Sequence, residues 1–177
     1  MRTSYAAVAA VAAVLLAALP AAPAAARQAG NVIMPADPAA RAFQEEVGFA
    51  DAVIAGDTIW LSGVVAAPRE GEAGLEPAFE RVFARIADVL ARAGASWDDV
   101  VEMTSFHTDI GGQIDAFVAV KNRHVKGPPP AWTAIGISRL YEPTAIVEVK
   151  VVARSATVAP GRGGCACRRS TTTRRWG

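Results

Sequence analysis

The stretch AIVEVKVVA, Ala145 to Ala153, constrains the fold of this chain most. It is almost wholly apolar, broken only by Glu148 and Lys150. A short run of that composition, rich in β-branched residues, suits a strand buried in the middle of a sheet. A central strand needs strand neighbours on both sides and cover on its faces.

The strand neighbours are legible. DAVIAGDTIWLSGVV reads as two strands, Val53-Ile54 and Ile59-Trp60-Leu61, around Ala55-Gly56-Asp57-Thr58, where Gly56 can take a positive φ. Val64-Val65 offers a further short strand. Val100 to Thr108 and Ala131 to Ser138 read as two more. The clearest helix runs from Glu76 to Ala93. Phe79, Val82, Phe83, Ile86, Val89, Leu90 and Ala93 follow the 3.6-residue period. Pro77 and Glu76 suit its first turn, and Gly94 suits its stop. Arg81, Arg85, Asp88 and Arg92 read as its solvated face. GGQIDAFVAVKNRHV reads as a weaker helix with Ile114, Phe117, Val118 and Val125 inward. The order is β-β-α-β-α-β-β, an α+β mixed sheet with two helices on one face. No third helix is evident for the other face, so self-association is expected to bury it.

The ends read differently. Met1-Arg2-Thr3, the apolar run Tyr5 to Leu19 and Ala24-Ala25-Ala26 have the order of a signal peptide, with cleavage before Arg27. The expected product is periplasmic or secreted, with no stable membrane span after cleavage; an uncleaved anchor and a misassigned start are the alternatives. The remaining segments read as a linker (27–40), a folded domain (41–156) and a disordered basic tail (157–177). Cys165 and Cys167 lie in that tail. A C-x-C without further ligands is weak metal evidence, so neither metal nor cofactor is expected. The body has no thiol nucleophile. All 17 acids of the chain fall between Asp37 and Glu148, against 11 of its bases between Asp37 and Arg154, a net charge of −6. That balance argues against a nucleic-acid partner.

Several segments together resemble the Rid family, also called the YjgF/YER057c/UK114 family: AGDTIWLSGVV, AFERVFARIADVLARAGASWDDVVEMTSFHTDI, FVAVKNRHV, PPPAW and AIVEVKVVA. The resemblance spans about Gly48 to Ala153. It implies a chorismate-mutase-like fold, a homotrimer with the sheets facing inward as a barrel, and ligand clefts between subunits. It also implies hydrolysis of reactive enamines and imines, such as 2-aminoacrylate, to ammonia and a keto acid. In the family an Arg after the proline-rich turn grips the substrate carboxylate, with a Cys two residues on. A Glu on the last strand positions water, and a Tyr and the SG pair line the cleft.

Carried over residue by residue, Ser62, Gly63 and Glu148 match. Phe49 stands at the Tyr position, Ala134 at the Cys position and Trp132 at the Arg position. Trp cannot pair with a carboxylate, and losing a bidentate charged contact costs on the order of 3 kcal/mol. Arg139 has the opposite strand parity to Trp132 and would reach the cleft only through a bulge.

Each site residue also has a plainer reading. Glu148 is either a proton-moving cleft residue or the partner of Lys150 on the same strand face. His107 is an acid–base group or a partly buried histidine at a strand end, and His124 a surface residue. Trp132 is a stacking wall for a planar ligand or a core plug. Two functions follow. One is hydrolysis of a small imine, enamine or related electrophile that carries no carboxylate at the usual place. The other is a non-catalytic, small-ligand-binding trimer.

Overall fold

The computed structural model describes residues 27–155. The signal-peptide and tail readings lie outside them. Among the described residues no helix is long and apolar enough to cross a membrane. The elements, in chain order, are β1 (Val32–Ile33), α1 (Pro38–Val47), β2 (Ala52–Ala55), β3 (Thr58–Leu61), β4 (Val64–Ala66), α2 (Glu76–Arg92), β5 (Val100–His107), α3 (Ile110–His124), β6 (Ala131–Gly136) and β7 (Val147–Arg154).

All seven strands form one mixed sheet, in the order β1-β2-β3-β7-β5-β6, with β4 also paired to β7. Only β5 and β6 run parallel. The aliphatic stretch that opened the sequence reading is the central strand. β7 pairs β3 and β4 along one edge and β5 along the other. Val147, Val149, Val151 and Ala153 are buried on one face, whereas Glu148 and Lys150 point to the opposite face, where Val152 is also buried.

Helices α2 and α3 cover the first face. All seven apolar positions expected on α2 are buried. In α3 the phase differs from the sequence reading: Gln113, Phe117 and Val120 are buried, while Ile114, Val118 and Val125 are half-buried. Phe117 organises this layer. Its ring lies 5.6 Å from Phe79, 5.5 Å from Phe83, 5.8 Å from Trp132 and 5.0 Å from His107.

The linker reading of 27–40 is corrected. Val32–Ile33 pairs antiparallel with Val53 and Ala52 at the sheet edge, and a third helix begins at Pro38. Its start signal was present: Pro38 occupies the first turn and Asp37 accepts from the Ala40 amide at 2.8 Å. A two-residue strand is too short to leave a periodic signal.

The other face stays open. Val53, Trp60, Thr104, Phe106, Glu148, Lys150 and Val152 share it by register. Trp60 is 49% exposed on it. No helix of the described chain lies over this surface to bury it.

Candidate functional site

The site is built where β3 gives way to β4. Both strands pair with β7, yet Trp60 lies opposite Val152 and Val64 opposite Val149. Four residues advance on one side for three on the other, so Ser62-Gly63 forms a bulge. Glu148 lies opposite Val65 on one side and Phe106 on the other. Its carboxylate occupies the space that a side chain at Gly63 would take: a Cβ there would sit 1.7 Å from Glu148 Oε1. The glycine is therefore a requirement of the carboxylate's position.

Glu148 is half-buried and forms no hydrogen bond or ion pair with any described residue. It does not pair with Lys150, which is exposed. A carboxylate flanked by Val65 and Phe106 is costly to leave unpaired, and such groups concentrate at sites of function.

Glu148 opens into a cavity of about 450 Å³. Ser62 and Gly63 line it beside the carboxylate, and Phe43, Val47, Phe49, Val65 and Tyr141 supply its apolar surface. Glu142 completes the lining. The Phe43 and Phe49 rings meet edge-to-face at 6.2 Å. Ser62 Oγ donates to the Ala50 carbonyl at 2.6 Å, which commits its proton and leaves only acceptor capacity toward the cavity. The sequence reading missed Phe43 and Val47 because it placed them in the folded domain (41–156) but assigned no helix there. Their i, i+4 spacing after an Asp-Pro start was the available signal. Tyr141 and Glu142 come from an irregular loop and left none.

A second carboxylate lies nearby in a different state. Asp51 is buried and accepts from Gln44 Nε2 at 2.9 Å, Arg85 at 2.8 Å and Arg92 at 2.6 Å. Burial pushes its pKa up. The Gln44 and Arg92 hydrogen bonds and the charges of Arg85 and Arg92 outweigh that and hold it below the ordinary value. Arg85 and Arg92 are thus drawn from the face expected to be solvated. Their partner, Asp51, is remote in sequence and invisible to helix periodicity. A smaller cavity of about 200 Å³ joins this cluster to Phe49, Ser62 and Gly63.

Trp132 and Ala134 lie elsewhere. Trp132 is opposite Met103, and Ala134 opposite Ser105, on the helix-covered side of edge strand β6. Within one protomer they do not line the cavity of Glu148. Trp132 is half-buried against Phe117, carries the Lys121 ammonium 5.1 Å from its ring, and donates from Nε1 to Ser105 Oγ at 3.0 Å. Ser105 Oγ lies 2.9 Å from His107 Nε2. Which of the two donates depends on the imidazole tautomer, and His107 Nδ1 has no hydrogen-bond partner among the described residues. Burial lowers the His107 pKa, against a smaller raising effect of the Gln113 side chain. His107 is fully buried, as a structural histidine would be.

Arg139 falls past the end of β6 and does not line the cavity, so the bulge that would have aimed it there is not formed. His124 is more than a surface residue. It stacks on Phe83 at 5.3 Å and bonds Glu80 at 2.5 Å, tying α3 to α2. Among the described residues, no group of three His, Cys, Asp or Glu side chains converges as a metal ion would need.

Residues 39–155 match the family model described as Endoribonuclease L-PSP. A curated relative, the RutC family protein YjgH of Escherichia coli (strain K12), is 36% identical over 123 residues, covering 66% of this chain and 91% of the relative. A solved structure of a protein named YJGH aligns with a TM-score of 0.60 at 32% identity, over 70% of this chain and 95% of that one. A YjgF/YER057c/UK114 family member from Mycobacterium tuberculosis aligns with a TM-score of 0.59 at 21% identity, over 70% and 97% of the two chains.

Proposed function

The chain belongs to the Endoribonuclease L-PSP family, which is also the Rid or YjgF/YER057c/UK114 family, and from that membership we propose that it is a small-molecule hydrolase of imines or enamines. The observation that carries the reading is Glu148: half-buried, without a partner among the described residues, and given its place by Gly63. A carboxylate in that position is free to take a proton from water. For a protonated imine the balance is R2C=NH2⁺ + H2O giving R2C=O + NH4⁺. Glu148 accepts a proton as the water oxygen bonds to carbon, and returns it as the C–N bond breaks.

The cavity is completed, in this proposal, by neighbouring copies in a trimer. The open sheet face supports it: Trp60, Val65, Val101 and Ile135 are each more than a third exposed. Trp132 and Ala134 would reach a ligand only from the edge strand of such a neighbour. Sedimentation of the protein lacking Met1 to Ala26 tests the assembly, with three times the chain mass expected and a stable monomer contradicting it. Ammonia release from enzymatically generated imines tests the chemistry, with turnover expected in the wild type and lost in Glu148→Gln.

The second reading is non-catalytic binding of a small ligand. The mainly apolar lining of the cavity, and the indole where the family's guanidinium would stand, favour it. A ligand held by the wild type without turnover would select it. The family name includes a nuclease label. The acidic body gives RNA no basic surface to hold, and the proposal does not include that activity.

A further inference from the structure

The charges that line the cavity all have one sign. We propose that it selects a small organic monocation, an ammonium or iminium group on an apolar body, over a carboxylate of the same size. This rests on the reading that the Glu148 cavity is the ligand site, and it names the class of ligand.

Two carboxylates, Glu142 and Glu148, line the cavity, and no Lys, Arg or His does. The Ser62 hydroxyl is spent on Ala50 and presents an acceptor. Glu142 Oε1 accepts from the Thr144 amide and hydroxyl, at 3.3 and 3.0 Å, within its own loop. The remaining surface includes the rings of Phe43, Phe49 and Tyr141, whose faces attract cations.

The neighbouring cations lie outside this lining, among them Arg27, which is exposed and lines an adjoining cavity that shares Phe49 and Ser62. Arg85 touches the smaller adjoining cavity, but its guanidinium bonds Asp51 at 2.8 Å and Asp88 at 3.0 Å. Lys150 shares the sheet face of Glu148 but is exposed and outside the cavity lining. Arg139 lies in the loop beyond β6 and also outside the lining. The net charge of −6 between Asp37 and Arg154 adds a field that draws cations to this body. A protonated imine fits all of these features. It carries the charge the cavity favours and is a stronger electrophile than the neutral form.

The test uses three unreactive probes of similar size: benzyltrimethylammonium, benzyl alcohol and phenylacetate. Their affinities for the full chain are measured by calorimetric titration. The cation should bind at least about tenfold more tightly than the anion, the scale of one close charge or cation–π contact. Glu148→Gln should weaken the cation by about tenfold and leave benzyl alcohol unchanged. Phe49→Leu should also weaken the cation, which keeps the test open if the first variant folds poorly. Equal or tighter binding of phenylacetate overturns the proposal, as does cation affinity unmoved by both substitutions. The hydrolase reading fails separately: cation selectivity without ammonia release removes catalysis and leaves the charge preference standing. Glu148-dependent turnover that favours carboxylated imines over uncharged ones removes the preference alone.

Discussion

The two faces of the central sheet are made by the same strands and hold their polar groups in opposite ways. On the helix-covered face, polar side chains are linked to one another through at least one atom each, though His107 Nδ1 and Gln113 Oε1 have no hydrogen-bond partner among the described residues. Trp132 donates to Ser105, Ser105 Oγ hydrogen-bonds His107 Nε2, and Gln113 donates to Thr108 at 3.2 Å. On the open face, Glu148 stands between Val65 and Phe106 with no partner at all among the described residues. The nearby Asp51 sharpens the contrast, since it receives three side-chain donors. A half-buried carboxylate that opens into a cavity without a partner is placed to meet a ligand. The difference predicts that changes on the covered side are read in stability, and changes at Glu148 in function.

The largest effect should come from Phe117→Ala. It removes the ring that four aromatic neighbours share and should cost about 3–5 kcal/mol in urea denaturation. A loss under 1 kcal/mol would mean that the covered face is not the core.

Asp51→Ala comes next. It removes the buried acceptor that Arg85 and Arg92 share and leaves them only the exposed Asp88, while solvent reaches both guanidinium groups. The expected loss is about 2–3 kcal/mol. Because the folded pKa of Asp51 is lowered, its contribution is present above the unfolded carboxylate range and fades as pH falls below it. The substitution should therefore flatten the acid limb of the stability profile.

A smaller effect attaches to His107. Its pKa is lowered in the folded state, so below about pH 6.5 the unfolded chain takes up a proton that the native chain refuses. Stability should fall as pH drops from 7.5 to 5.5, and His107→Asn should lose part of that slope. An unchanged slope would show that the buried imidazole titrates freely.

The smallest stability effect belongs to Glu148→Gln, within about 0.5 kcal/mol of wild type. Gly63→Ala tests the same spot from the other side. Its methyl would displace the Glu148 carboxylate, so activity should fall with Glu148 itself intact.

The covered face was largely legible in the sequence. The aliphatic alternation of β7 and the 3.6-residue period of α2 are local signals that packing then follows. The phase of α3 was read less well, because Gln113 is buried and a polar residue does not announce an inward position. The open face was inferred from what the chain lacked, a helix to cover it. The site was legible in part. Ser62, Gly63, Phe49 and Glu148 converge, and a resemblance of motifs had named all four. Trp132 joined them in that resemblance but sits on the other face, a fact its even residue number alone could not decide without the register to Met103. The helix that carries Phe43 and Val47 had a local signal in its Asp-Pro start, whereas Tyr141 and Glu142 reach the cavity through tertiary placement that no short-range pattern encodes.

The most direct test of the account compares ammonia release from imines by the wild type and Glu148→Gln, with unfolding curves of both proteins. The account predicts turnover in the wild type, its loss by about a hundredfold or more in the variant, and superimposable unfolding. Full turnover in Glu148→Gln, or a variant that loses activity only because it unfolds, would contradict it.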